Sequence, residues 1–297
     1  MSEILSRVAS GGASVEPTFE LLDEGLGARI DPTGPVVVRA YVPALDLSAA
    51  RAAVAAAERD LGHLQAFGLR PVGEVRTREV HEEDWARAWK RHFPVLRVGR
   101  RLVIRPTWRR HRATGREVVL ALDPGMAFGT GLHPTTRLCL AAVERLAETG
   151  QLAGARVLDL GCGSGILALA AARLGARAVL GLDTDPVAVE ATGANARRNR
   201  LARIVRPRLG SLPAPGQPYD IVLANLVAAL LVGMAGDLYM ALRPGSGAAG
   251  SGGRLLAGGI IVEREPEVRR ALAAAGLHMV DRDQEGDWVA LEAERID

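Results

Sequence analysis

The sequence predicts an α/β protein, a doubly wound parallel sheet preceded by a smaller α+β unit, and three observations carry that prediction. From about Val118 onward short apolar runs alternate with segments of helical periodicity, the pattern of parallel strands joined by crossover helices. One such junction, VLDLGCGSGILALAAARLGA from Val157, packs three glycines between a strand and a helix. The stretch before Val80 reads differently, as a few strands around one alanine-rich helix.

Each element follows from local pattern. SEILSRVA at the start reads as helix, so the first unit is expected to lack its first strand. VVVRAYV from Val36 is a strand, Leu47 to Leu61 a helix, and GEVRTREV from Gly73 a further strand. Glu82 to His92 sets Trp85 and Trp89 four residues apart on one face of a linker helix. RLVIRPTW from Arg101 is a strand ended by the polar turn RRHRATGR, and VVLAL from Val118 is the next strand. A helix is expected from Arg137 to Leu146, then the strand Val157 to Leu160, the turn of Gly161, Gly163 and Gly165, and the helix Ile166 to Leu174. Ala178 to Leu182 is a strand, and Pro186 opens a helix running to about Arg200. Ile221 to Ala224 is a strand, with a helix from Val227 to Leu242 stopped by Pro244 and Gly245. RLLAGGII, the helix Glu263 to Ala275, and the antiparallel pair LHMVDRD and DWVALEAER complete the chain, and GSGAAGSGG from Gly245 is a surface loop. The expected domains are residues 1–80, a linker helix within 81–100, and the sheet domain 101–297.

Composition narrows the functional classes. With 297 residues, 48% of them hydrophobic, the chain can build one large core and a smaller one. No run of about 18 apolar residues is present, so no membrane span is expected, and the first residues lack a secretory signal. The two cysteines, Cys139 and Cys162, sit among apolar or glycine residues and are expected to pack as small apolar groups rather than bind metal or pair. A cytoplasmic location is the simplest expectation. Net charge is +3, and the arginines clustered between Arg87 and Arg116 are read as a solvated ribbon rather than a nucleic-acid face, since aromatic residues for stacking are few.

The chemistry gathers where strands end, as in open α/β sheets. A strand, a glycine turn and a helix N-terminus can surround one small ligand, and Asp183 ends the second strand where a carboxylate can accept from a ribose diol. That combination points to a nucleoside. The spacing is G-x-G-x-G, not the G-x-G-x-x-G that cradles a dinucleotide pyrophosphate. Asp159, two residues before Gly161, suits an ammonium group. Asn225 ends the strand segment YDIVLAN, where an amide can bond both a cofactor and an amine, or simply open the next helix in an Asx turn. DPGMAFGTGLHPTT sets Gly129 and Gly131 before His133 and Thr136. Thr136 can cap the following helix or touch a ligand, and His133 can serve as a base or stabilise its loop.

The segments DPGMAFGTGLHPTT, VLDLGCGSGILALAA, GLDTDPVAVEAT, ANL and DWVAL, preceded by EEDWARAWKRHFPVLRVGRRLVIRPTW, resemble the ribosomal protein L11 methyltransferase family over roughly Val80 to the C-terminus. The D-x-G-x-G-x-G pattern is shared by class I methyltransferases at large, and AFGTG-x-HPTT is the discriminating segment. The resemblance implies a class I methyltransferase sheet behind a ferredoxin-like substrate-recognition domain, here in shortened form. It implies S-adenosylmethionine as cofactor, held by Thr136, Gly161, Asp183 and Asn225, with Asn225 as the residue of the catalytic step. It also implies methylation of lysine side chains and the N-terminal amine of a large-subunit ribosomal protein, with neither membrane nor direct nucleic-acid binding, by a monomer. Departures from the family pattern are NLVA after the fourth strand, the glycine–serine insertion near Gly250, and Gly258 where a serine is usual. The alternatives are a class I methyltransferase of another protein or a small-molecule amine, a nicotinamide-dependent oxidoreductase, or a module that binds cofactor without turnover.

Overall fold

The structure, a computed structural model, describes residues 4, 13–16, 19–21, 28–30, 36–40, 42, 47–66, 75–77, 93–123, 131–216, 218–245 and 252–296. The chain divides into two compact units, Met1–Trp85 and Ala86–Asp297. In the first, β1 (Ala13–Glu16) pairs antiparallel with β4 (Val37–Ala40), and β2 (Phe19–Leu21) pairs antiparallel with β3 (Ala28–Ile30). Helix α1 spans Leu47–Ala66 and buries Ala57 and Leu61, four residues apart on one face. The expectation that no strand precedes Val36 is therefore corrected. Its strands are only three or four residues long, too short for an alternating pattern to stand out. Of the strand expected from Gly73 only residues 75–77 are described, and they lie outside any strand. The Trp85–Trp89 helix lies outside the described residues.

The second unit holds two sheets. β5 (Leu96–Val98) pairs antiparallel with β6 (Leu102–Pro106), and β6 pairs parallel with β7 (Val118–Leu122). The polar segment after β6 is thus a crossover to a parallel neighbour, where the sequence suggests a simple turn. The large sheet contains β8 (Arg156–Leu160), β9 (Ala178–Asp183), β10 (Val205–Leu209), β11 (Ile221–Asn225), β12 (Arg254–Ile261), β13 (Leu277–Glu285) and β14 (Trp288–Arg295), in the order β10-β9-β8-β11-β12-β14-β13. β10, β9, β8, β11 and β12 run parallel, and β14 is antiparallel to both neighbours. β10 is an edge strand, the position at which its Pro207 is tolerated.

Strand alternation sorts the core onto two faces. Val157, Val179, Ile221, Leu223 and Leu256 pack with α2 (Pro134–Glu148), α3 (Ile166–Arg173) and α4 (Pro186–Arg198), while Leu158, Leu160, Val222, Ala224 and Leu255 pack with α5 (Ala228–Gly233), α6 (Ala235–Ala241) and α7 (Glu265–Ala274). This is the doubly wound arrangement the periodicity predicts. The helix expected from Val227 to Leu242 is instead two short helices broken at Met234, whose φ of −105° leaves the helical range beside Gly233, a residue poorly suited to helix interiors. α7 likewise begins at Glu265 after a single 3₁₀ turn, Val262–Arg264.

Candidate active site

Register brings the strand ends level. Leu160 pairs with Leu182 and with Ala224, and Asn225 pairs with Gly258, so Gly161, Asp183, Asn225 and Gly258 stand at one height at the carboxyl edge. They meet at a cavity of about 350 Å³ lined by Asp159, Gly161, Asp183, Ser211, Asn225 and Leu230, among others. The wall includes residues the sequence reading did not single out. Ser211 follows the unanticipated strand β10, and Leu226, Leu230 and Met234 come from the helical side. The signal for β10 was VRPRL followed by glycine, a weak one because proline argues against a central strand.

The glycine turn keeps its N–H groups for itself. Gly161 and Cys162 both donate to the Leu182 carbonyl, at 2.8 and 3.0 Å, and Gly165 donates to the Cys162 carbonyl at 2.8 Å. Gly163 donates to Asp183 Oδ2 at 2.9 Å. A pyrophosphate cradle needs such donors turned toward the ligand, and these are spent on the loop's own fold. The site therefore suits a nucleoside without a pyrophosphate. Gly161 itself is required for shape: its φ is +71°, and a Cβ there would stand 2.5 Å from Leu226 Cδ2.

Two carboxylates face this turn with different duties. Asp183 accepts from Gly163 through one oxygen and from Asp185 N through the other, at 3.0 Å, and each oxygen keeps a lone pair for a hydroxyl. Asp159 is 1% exposed, and its Oδ2 accepts from Ala168 N at 2.9 Å. It supplies the helix-start acceptor that the N-cap residue of α3, Gly165, cannot. Burial raises the Asp159 carboxyl to about 7 against that hydrogen bond, with nearby Asp183 raising it further. Asp159 is thus a buried acid on the cavity wall.

Asn225 projects from the end of β11, and among the described residues its amide makes no hydrogen bond. Gly258 adjoins it: a Cβ at that position would lie 3.0 Å from Asn225 Oδ1 and 2.4 Å from Cys139 Sγ. The family departure at Gly258 therefore falls beside the candidate site, where the Cys139 thiol packs closely. Both cysteines are free and buried, and burial pushes each thiol up to about 12. Cys139 packs in the apolar core, whereas Cys162 lines the cavity and its Sγ accepts from Thr192 Oγ1 at 3.5 Å.

Of the two sequence readings of Thr136, the helix cap does not hold. α2 begins at Pro134, and its cap is His133, whose side chain accepts from Thr135 N at 3.4 Å. The capping role for Thr136 is corrected; Pro134 at the first helical position was the overlooked signal. Thr136 is 0% exposed, its hydroxyl has no hydrogen-bond partner among the described residues, and it is absent from the described cavity wall. It lies one turn before Cys139 on the same helix face, and Cys139 abuts the Gly258–Asn225 pair. An orphaned buried hydroxyl so placed is a donor awaiting an acceptor. His133 packs edge-on against Trp288, with ring centroids 4.6 Å apart, and burial lowers its pKa, as does Arg137. Its capping contact makes it a loop-stabilising residue.

This strand order and this level row of glycine, acid and amide define a class I methyltransferase, with residues that fit S-adenosylmethionine. The chain belongs to the ribosomal protein L11 methyltransferase (PrmA) family, whose model matches residues 2–296. It is 45% identical to the ribosomal protein L11 methyltransferase of Chloroflexus aurantiacus over 98% of this chain and 92% of that one. Identity to the Geobacter sulfurreducens protein of the same description is 41%, again over 98% and 92%. The crystal structure of a ribosomal protein L11 methylase from Lactobacillus delbrueckii subsp. bulgaricus aligns with a TM-score of 0.59 at 29% identity, covering 68% of this chain and 99% of that one.

Proposed function

We propose that the protein transfers methyl groups from S-adenosylmethionine to lysine side chains and the N-terminal amine of ribosomal protein L11. The observation that carries this is the unengaged Asn225 amide, level with Gly161 and Asp183 on the cavity. In this reading Asp183 accepts from the ribose hydroxyls, Gly161 gives the nucleoside room, and the Thr136 hydroxyl satisfies itself on the cofactor's polar end. Bound in this way, the cofactor supplies an activated methyl group.

The residues then have to orient an amine. Asn225 Oδ1 accepts an N–H of the incoming amine and aims its lone pair, while Leu226 and Leu230 present apolar wall to a lysine stem. No strong base is required, because an ammonium brought into a less polar site releases its proton to water more readily. His133, held as a cap, is not assigned to that step. We place the unit Met1–Trp85 as the substrate-recognition domain and the protein as a cytoplasmic monomer that does not bind nucleic acid directly. None of the described helices is long and apolar enough to cross a membrane.

The test is incubation of the purified protein with ribosomal protein L11 and tritiated S-adenosylmethionine, followed by mapping of the label. Tritium on lysine and α-amine nitrogens supports the reading. Label on another side-chain class, or none above a heat-killed control, overturns it.

A further inference from the structure

Two buried asparagines on α4 stand outside the site just described, and they do different things. β7 pairs with β6 along one edge only, which leaves the N–H and C=O of alternate residues on the other edge unclaimed by a strand. Asn199, at the C-cap of α4, accepts from Ala121 N at 2.9 Å and donates to Ala121 O at 2.7 Å. Asn195, one turn earlier, accepts from Asp123 N at 3.0 Å and donates to Asp123 O at 2.9 Å. The spacings match for a simple reason. Four helical residues rise about 6 Å and two strand residues about 6.6 Å, so amides at i and i+4 meet strand residues two apart. The helix takes the place of a neighbouring strand.

Only one of these amides also reaches the glycine turn. Asn195 Nδ2 donates a second hydrogen bond to Ser164 O at 2.9 Å, and the residue is 0% exposed. One helical turn before it, Thr192 donates to Gly163 O at 2.9 Å, so α4 holds two successive carbonyls of the turn. Gly165 is confined by the same face, since a Cβ there would stand 2.9 Å from Thr192. Asn199 makes no such contact; its remaining donor goes to Asn195 O at 2.9 Å.

We infer that Asn195 is a positioning residue for cofactor binding: it locks the glycine turn at Ser164 to the end of β7 at Asp123 and so fixes Gly161 and Gly163 against Asp183. This rests on the reading of the cavity as a cofactor site. Losing its amide removes the link between the Ser164 carbonyl and Asp123, and so loosens the turn that presents Gly163 to Asp183.

The twin substitutions Asn195→Ala and Asn199→Ala test this, because each removes a buried amide from the same ladder. Both are expected to lower Tm. Only Asn195→Ala is expected to weaken S-adenosylmethionine binding by calorimetry, about ten-fold, with KM for the cofactor rising and kcat nearly unchanged. Asn195→Ser, a milder variant measured well below its melting point, decides the matter if the alanine variant does not fold. Affinity unchanged in the foldable Asn195 variant, or weakened equally in Asn199→Ala, overturns the inference. Absence of binding by the unmodified protein defeats instead the cofactor reading beneath it.

Discussion

The two edges of the seven-stranded sheet use the same strands and reach opposite outcomes. At the amino edge the charged side chains are paired with one another, although Arg254 Nε itself makes no hydrogen bond among the described residues. Asp220 accepts from Arg156 N at 2.8 Å and from Arg243 Nε at 3.0 Å, and Arg254 bridges Glu292 and Glu294. At the carboxyl edge the Asn225 amide makes no hydrogen bond among the described residues, and burial raises Asp159 to about 7. The buried Thr136 hydroxyl on the adjoining helix has no partner among the described residues. Both edges contain a cavity, of about 250 Å³ and about 350 Å³, so volume does not tell them apart. The difference lies in side chains with no polar partner at all among the described residues, Asn225 and Thr136 at the carboxyl edge, against ion-paired side chains at the amino edge.

That contrast can be broken most severely at Asn225. Asn225→Ala is expected to slow single-turnover methyl transfer about a hundred-fold or more by misaligning the amine, with cofactor affinity changed far less. A variant as fast as the parent would remove Asn225 from the chemistry. Asp183→Ala comes next, since it takes away the ribose acceptor and the partner of Gly163 N together; calorimetry should show S-adenosylmethionine binding about ten- to a hundred-fold weaker. Undiminished affinity there would detach the acid row from the cofactor.

Asp159 offers a pH-dependent version of the same comparison. Its folded-state pKa is raised from the ordinary aspartate value of 3.8 to about 7. The folded protein therefore holds a proton that the unfolded chain releases, and this contribution is complete below the unfolded value and lost as pH rises through the folded one. Tm of the ligand-free protein should fall between about pH 4 and pH 7, and Asp159→Asn should flatten that part of the profile. Identical profiles for the two proteins would count against a protonated buried acid. The smallest effect is expected at the opposite edge. Arg243→Gln removes a half-exposed ion pair worth about 0–1 kcal/mol, so stability should shift slightly and cofactor affinity not at all. A loss of affinity there would mean the edges are not independent.

Much of the sheet was legible because its strands are local and strongly apolar. β8, β9, β11 and β12 fall within a residue of their expected bounds, and Gly161, Asp183 and Asn225 share one cavity as the strand-end argument requires. The misreadings share a cause. β1, β2 and β3 are too short for a period, β10 contains a proline, and the helix after Asn225 breaks at Met234. Thr136 was misplaced because a histidine took the cap, an uncommon choice.

By itself the sequence determined most of the strands and helices of the large sheet, the glycine turn and the row of strand-end residues, since each depends on neighbours within a few positions. Tertiary structure alone decided how those residues spend their hydrogen bonds. It turned the glycine N–H groups inward, left Asn225 open, and set Asn195 between Asp123 and Ser164, partners 72 and 31 residues away. The physical reason is that a donor's partner is chosen by packing across the sheet and helix layers, and no local period records which distant carbonyl will arrive within 3 Å.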